Sequence, residues 1–202
     1  TSGRAQGEAA LIMNAIDQVC LLHPVDRGRV AIAGLSAGAS MAALLATLHP
    51  ERFQAVVMHS GVPPGTAHST MSALGAMRGQ RVTQPLAAPT AATPAVLPPL
   101  LVIHGQADAV VSPQNGKACA QVWADALGAK PTPARSVQRG KRYAMSVTDF
   151  TCQGHTVVTL AEVEQLAHAW SGGAARHPFS DPQGPDASRM VWAFAARQFR
   201  TG

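Results

Sequence analysis

The sequence predicts an α/β domain on three observations. Short β-branched apolar runs recur at residues 29–34, 55–59 and 100–104. Stretches of helical length and periodicity separate them. The runs lack the polar alternation of a half-wet sheet, as expected of parallel strands covered on both faces. With 202 residues, 47% of them hydrophobic and 13% charged, the chain has the apolar content of one globular domain over residues 1–202, and disordered or coiled-coil readings are excluded.

The elements follow in order. Residues 4–22 place Ala5, Ala9, Ile12, Ile16 and Val19 at helical spacing, and His23-Pro24 ends that helix. Residues 29–34 form the first strand, residues 36–49 a helix stopped by Pro50, and AVVMH and LLVIH two further strands. Between those two strands residues 61–98 depart from the alternation: Met71, Leu74 and Met77 have helical spacing, and a Pro/Ala/Thr tract follows that cannot join a sheet. A lid-like or substrate-binding insertion is expected there. Residues 114–127 read as a helix carrying Val122, Trp123 and Leu127; residues 143–150 and 155–160 flank TCQG as a hairpin; residues 185–199 form a last helix with Met190, Val191, Phe194 and Ala195 on one side.

Composition narrows the function. The formal charge of +5 is dispersed, with no run of four Lys or Arg, so no nucleic-acid partner is expected. No apolar stretch reaches membrane-spanning length, and the first ten residues lack a signal-peptide pattern. Cys20, Cys119 and Cys152 match no metal spacing and read as small buried hydrophobes, with a Cys119 to Cys152 bridge as the alternative. Neither metal nor organic cofactor is expected.

The chemistry centres on Gly34-Leu35-Ser36-Ala37-Gly38. A sharp strand-to-helix turn strains its apex residue, and Gly34 and Gly38 are expected to relieve the crowding around it. The Ser36 hydroxyl then projects freely, and the Ala37 N–H supplies half of an oxyanion hole. Such a serine needs a base oriented by a carboxylate, arriving in the order Ser, acid, His beyond later strands. Asp108, just past the third strand, and His168, between the last strand and last helix, meet those conditions. Asp125 sits mid-helix, Asp149 lies in a strand, and Asp181 follows the histidine loop. His59 and His104 precede the acid, and His155 and His177 lack the strand-then-loop setting.

The blocks GLSAGAS, HSGVPPG, AMRG, HGQADAVVSPQNG, HAWSGG and DPQGPDASR, in this order, resemble the polyhydroxybutyrate-depolymerase-like esterases, which are related to feruloyl and acetylxylan esterases. The resemblance implies an α/β-hydrolase fold, a mostly parallel sheet flanked by helices, with Ser36 as nucleophile, Asp108 as acid and His168 as base. Trp170 and Leu35 are the expected substrate-binding residues. The family often has Gly at position 39 and Pro at position 171, where this chain has Ala39 and Ser171. Hydrolysis of a hydroxyalkanoate-type or other short acyl ester is the first expectation. A feruloyl or acetylxylan-type ester is the alternative, and a non-catalytic hydrolase-like binding protein the competing class. An extracellular or periplasmic address is expected over a cytoplasmic one.

In the family, strands before the nucleophile strand carry a His-Gly block that gives the second oxyanion donor. Here the first His-Gly pair is His104-Gly105, in the acid loop. The expectation is therefore that these residues form the C-terminal part of a longer fold whose N-terminal strands cover the sheet edge, a second copy of the chain being the alternative cover.

Overall fold

A computed structural model describes residues 2–66, 70–80, 83–86 and 96–200. Helix α1 (Ser2–Leu22) leads to strand β1 (Ala31–Leu35), helix α2 (Ala37–Leu48) and strand β2 (Ala55–His59). The short helix α3 (Thr70–Met77) precedes β3 (Leu100–Gly105) and α4 (Gln114–Ala126). Then come β4 (Lys130–Pro131), β5 (Arg135–Val137), the long hairpin β6 (Met145–Cys152) and β7 (His155–Val163), the pair β8 (Trp170–Ser171) and β9 (Ser180–Asp181), and α5 (Ala187–Gln198). The sheet runs β1-β2-β3-β7-β6-β4, with β5 also on β6. Strands β1, β2, β3 and β7 are parallel, and β6, β4 and β5 extend the sheet in antiparallel sense.

Alternate residues of the central strands supply the two cores. In β2 and β3, Val56, Met58, Leu100 and Val102 pack towards α1, α2 and α4. Ala55, Val57, Leu101 and Ile103 pack towards α5, against Phe194 and Ala195. Trp123 is fully buried in α4 and donates its Nε1–H to the Pro98 carbonyl at 2.9 Å, which fixes the chain entering β3. The Asp186 carboxylate caps α5 by accepting the Arg189 N–H at 2.9 Å.

Three expectations are corrected. Among the described residues strand β1 pairs only with β2 and is not covered on both faces: Ile32 packs into the core while Ala31 and Ala33 are exposed. Val19 is likewise exposed on α1, whose contact with the core is made by Ala9, Ile12, Met13 and Ile16. The three cysteines are free: Cys119 is buried in α4 with its thiol against the Met58 sulfur at 3.1 Å, and desolvation there pushes its pKa up to about 12. Cys20 and Cys152 are only part-buried.

Of the expected insertion at residues 61–98, the helix over Met71, Leu74 and Met77 is present as α3. Its C-terminus is tied to the acid loop, because the Ser112 N–H donates to the Met77 carbonyl at 2.7 Å and the Asn115 amide to Ala76 at 2.9 Å. Residues 67–69, 81–82 and 87–95 of that segment lie outside the described residues.

Candidate active site

The carboxyl ends of the parallel strands form one edge, and register places Leu35 beside His59 and His59 beside Ile103. Ser36 follows β1, Asp108 follows β3 and His168 follows β7. Ser36 holds φ 56° and ψ −120°, a strained backbone for a residue with a side chain. The turn is this tight because β1 and α2 nearly touch: a Cβ on Gly34 would overlap the Gly38 carbonyl. Gly38, expected to be needed for the same reason, has open space where a Cβ would stand. The second close glycine comes instead from the neighbouring strand end: a Cβ on Gly61 would lie 2.7 Å from the Ala39 Cβ and 3.2 Å from the Ser36 carbonyl. Ala37, exposed, opens α2, where a first-turn N–H has no intrahelical acceptor. Leu35 is half-buried immediately before the serine.

Asp108 and His168 are brought together. The Asp108 carboxylate is buried, and its Oδ1 accepts the Val110 and Val111 N–H groups at 2.9 and 2.8 Å. Its Oδ2 lies 2.8 Å from His168 Nδ1. An ionised carboxylate only accepts, so Nδ1 carries the proton and the Nε2 lone pair is free to act as a base. Among the described residues the Ser36 hydroxyl forms no hydrogen bond, so the serine shares the edge with this pair without being engaged by it. Such contacts commonly tighten only around a substrate.

The rival groups are elsewhere occupied. Asp149 accepts from Thr159 and pairs with Arg135, and Asp125 accepts from Gln121 on the exposed side of α4. Asp181 accepts the Gln183 N–H at a turn. His104 is buried with Nε2 2.9 Å from the Val111 carbonyl, to which it donates, and 3.6 Å from Asp108 Oδ2. It therefore supports the loop that holds the acid, while its Nδ1 has no hydrogen-bond partner among the described residues.

His59 and Phe179 are the residues that sequence reasoning missed as parts of this site. The His59 carbonyl accepts the Ser36 N–H at 2.8 Å, and its ring Nε2 accepts the Ser171 N–H at 3.2 Å. The ring also stacks on Trp170 with centroids 5.2 Å apart, while Nδ1 lies 3.2 Å from the Ser60 hydroxyl. One fully buried residue thus joins the serine turn to the strand that follows His168. The departure at position 171 matters here, because a proline there would have no N–H to give. Trp170 itself is half-buried and donates to the Ser188 hydroxyl at 3.1 Å, so it is neither a core aromatic nor a free one. Phe179 stands edge-on to His168 with centroids 6.4 Å apart.

Burial lowers the His59 pKa to about 3, with His104 and His168 adding smaller effects in the same direction, and burial lowers that of His104 too. The unfolded chain, whose histidines titrate near 6.5, therefore takes up protons between about pH 6.5 and 3 that the folded chain refuses. Stability should fall on acidification through that window, each such histidine contributing up to about 1.4 kcal/mol per pH unit. Urea unfolding between pH 7 and 4 is expected to give a shallower pH slope for His59→Gln than for the wild-type chain; equal slopes would contradict a neutral buried His59.

A mixed sheet flanked by helices, with a strained serine at a strand-to-helix turn on its carboxyl edge, defines the α/β hydrolases. The family described as Esterase PHB depolymerase matches residues 1–132, and this chain belongs to it. That segment includes Ser36 and Asp108, whereas His168 lies beyond it. Acetylxylan esterase A of Emericella nidulans is 27% identical over 143 residues, 65% of this chain and 47% of that protein. Poly(3-hydroxyalkanoate) depolymerase C of Paucimonas lemoignei is 30% identical over 136 residues, 64% and 33% of the two chains. The solved acetyl xylan esterase from Aspergillus awamori shares the fold with a TM-score of 0.63 at 21% identity, over 79% of this chain and 61% of that one. The chain spans about half, or less, of the length of these two curated relatives. Among the described residues no helix is long and apolar enough to cross a membrane, and no group of side chains could hold a metal ion.

Proposed function

We propose that this chain carries the reactive centre of a serine esterase that hydrolyses carboxylic esters. The observation behind the reading is one sheet edge holding a serine at φ 56° and a buried carboxylate bonded to a histidine. In this reading Ser36 Oγ attacks the ester carbonyl while His168 Nε2 takes its proton. Asp108 stabilises the imidazolium, and the Ala37 N–H binds the oxyanion. His168 returns the proton to the alcohol as the C–O bond breaks. Water then adds to the acyl-enzyme, again losing a proton to His168, which gives it to Ser36 Oγ as the acyl C–O bond breaks and the acid leaves.

Both relatives' names fit this chemistry: one names an acetylated polysaccharide and the other a polyester. A hydroxyalkanoate or other short acyl ester remains the first substrate class, acting outside the cytoplasm as the family resemblance implies. A serine-directed organophosphate, diethyl p-nitrophenyl phosphate, tests the nucleophile. One equivalent of p-nitrophenol should be released per chain, with the adduct found by mass spectrometry on the peptide holding Ser36. An adduct on another residue, or no hydrolysis of p-nitrophenyl acetate above buffer, would overturn the proposal.

A further inference from the structure

We infer that Phe179 is a specificity-determining residue that receives a flat ring in the alcohol half of the ester, an inference that rests on the esterase reading above. Phe179 is 67% exposed, yet its ring is not loose: it packs edge-on against His168. Its backbone sits at φ 54°, a conformation that a bulky side chain rarely adopts and that Gly or Asn would occupy with less strain. Hydrogen bonds fix that conformation. The Trp170 N–H donates to the Phe179 carbonyl at 2.7 Å, and the Gly172 N–H to the Asp181 carbonyl at 2.7 Å, so β8 and β9 hold the turn rigidly beside the histidine.

The chemistry says which part of a substrate meets that face. His168 is the group that returns the proton to the leaving oxygen, so the alcohol oxygen must come within hydrogen-bond reach of the imidazole. The remainder of the alcohol then passes along the flank of that ring, where Phe179 stands. Trp170, stacked on His59 and tied to Ser188, lies on the adjoining strand, its N–H bonded to the Phe179 carbonyl. Rigid aromatic faces favour planar apolar partners over short flexible ones. The acyl half carries no proton-accepting leaving oxygen and makes no such demand on this flank.

The test compares kcat/KM, which reports acylation, for phenyl acetate and ethyl acetate in three proteins: wild type, Phe179→Asn and Phe179→Tyr. Asn tolerates the left-handed backbone, so the ring is removed without adding strain, and Tyr keeps the ring. Each variant is compared with wild type on the same ester, so the intrinsic reactivity of the two leaving groups cancels. Phe179→Asn should lower kcat/KM for phenyl acetate by about tenfold more than it lowers that for ethyl acetate, whatever loss the two esters share. Phe179→Tyr should retain the wild-type ratio. The preference between p-nitrophenyl acetate and p-nitrophenyl butyrate should not move. Equal losses on both acetates, or a changed acyl-length preference, would overturn the inference while leaving the esterase reading intact. If Ser36→Ala removes no activity on either acetate in the wild-type background, the esterase reading itself falls.

Discussion

Ser36→Ala should lower kcat for p-nitrophenyl acetate by about 10⁴ to 10⁶, the range lost when a serine hydrolase loses its nucleophile. The substitution should leave the fold nearly untouched. The Ser36 side chain forms no capping bond to α2, and Ala meets the same left-handed backbone at φ 56° without a larger side chain. Stability measured by urea unfolding is expected to stay within about 0.5 kcal/mol of wild type, as for substitutions that remove no packing and no partner. That pairing of lost rate with kept stability separates a nucleophile from a structural serine. A Ser36→Ala protein that retains activity within tenfold would assign hydrolysis to another group.

The parts of this site legible in the sequence are those whose signal is local or ordered along the chain. GLSAGAS is local: β1 must turn directly into α2, and Gly34 is required where the two backbones nearly touch. Asp108 and His168 are legible by order, because a parallel sheet delivers successive strand ends to the same edge. The hairpin of β6 and β7 is legible from TCQG, of which Thr151 and Cys152 end β6 and Gln153-Gly154 make the turn, and α5 is legible from its apolar stripe.

What stayed hidden depends on neighbours distant in sequence. The apolar run of β1 carries no mark of its place in the sheet, where among the described residues it pairs with β2 alone. The second tight glycine is Gly61 and not Gly38, because crowding at the serine turn comes from the end of β2. His59 precedes the acid in the chain, and what the sequence does not show is that it is fully buried with its Nε2 accepting the N–H of Ser171, 112 residues away. Its hydrogen bonds join the serine turn to the strand after His168, a contact with no sequence motif. Phe179 was equally silent, for its exposure and its contact with His168 arise only when β8 and β9 pair.

Asp108→Asn should reduce kcat/KM for p-nitrophenyl acetate near neutral pH by about 10⁴, through the tautomer of His168 and not through any loss of packing. The argument follows from how the carboxylate is held. Oδ1 accepts two backbone N–H groups, those of Val110 and Val111, at 2.9 and 2.8 Å. An amide NH₂ cannot face two donors, so Asn must place its carbonyl there and turn its NH₂ towards His168. His168 Nδ1 then accepts, which leaves the imidazole proton on Nε2, the atom that takes the Ser36 proton in the proposed reaction. The variant should fold with a urea midpoint close to wild type, because both amides keep an acceptor. Asp108→Ala, by contrast, strands the buried Val111 N–H, and a buried donor left unpaired costs about 1–3 kcal/mol. Measuring both variants by kinetics and unfolding separates the two effects: Asn slow but stable, Ala slow and destabilised. An Asn variant within tenfold of wild-type kcat/KM would remove Asp108 from the reaction and leave it a role only in shaping the loop.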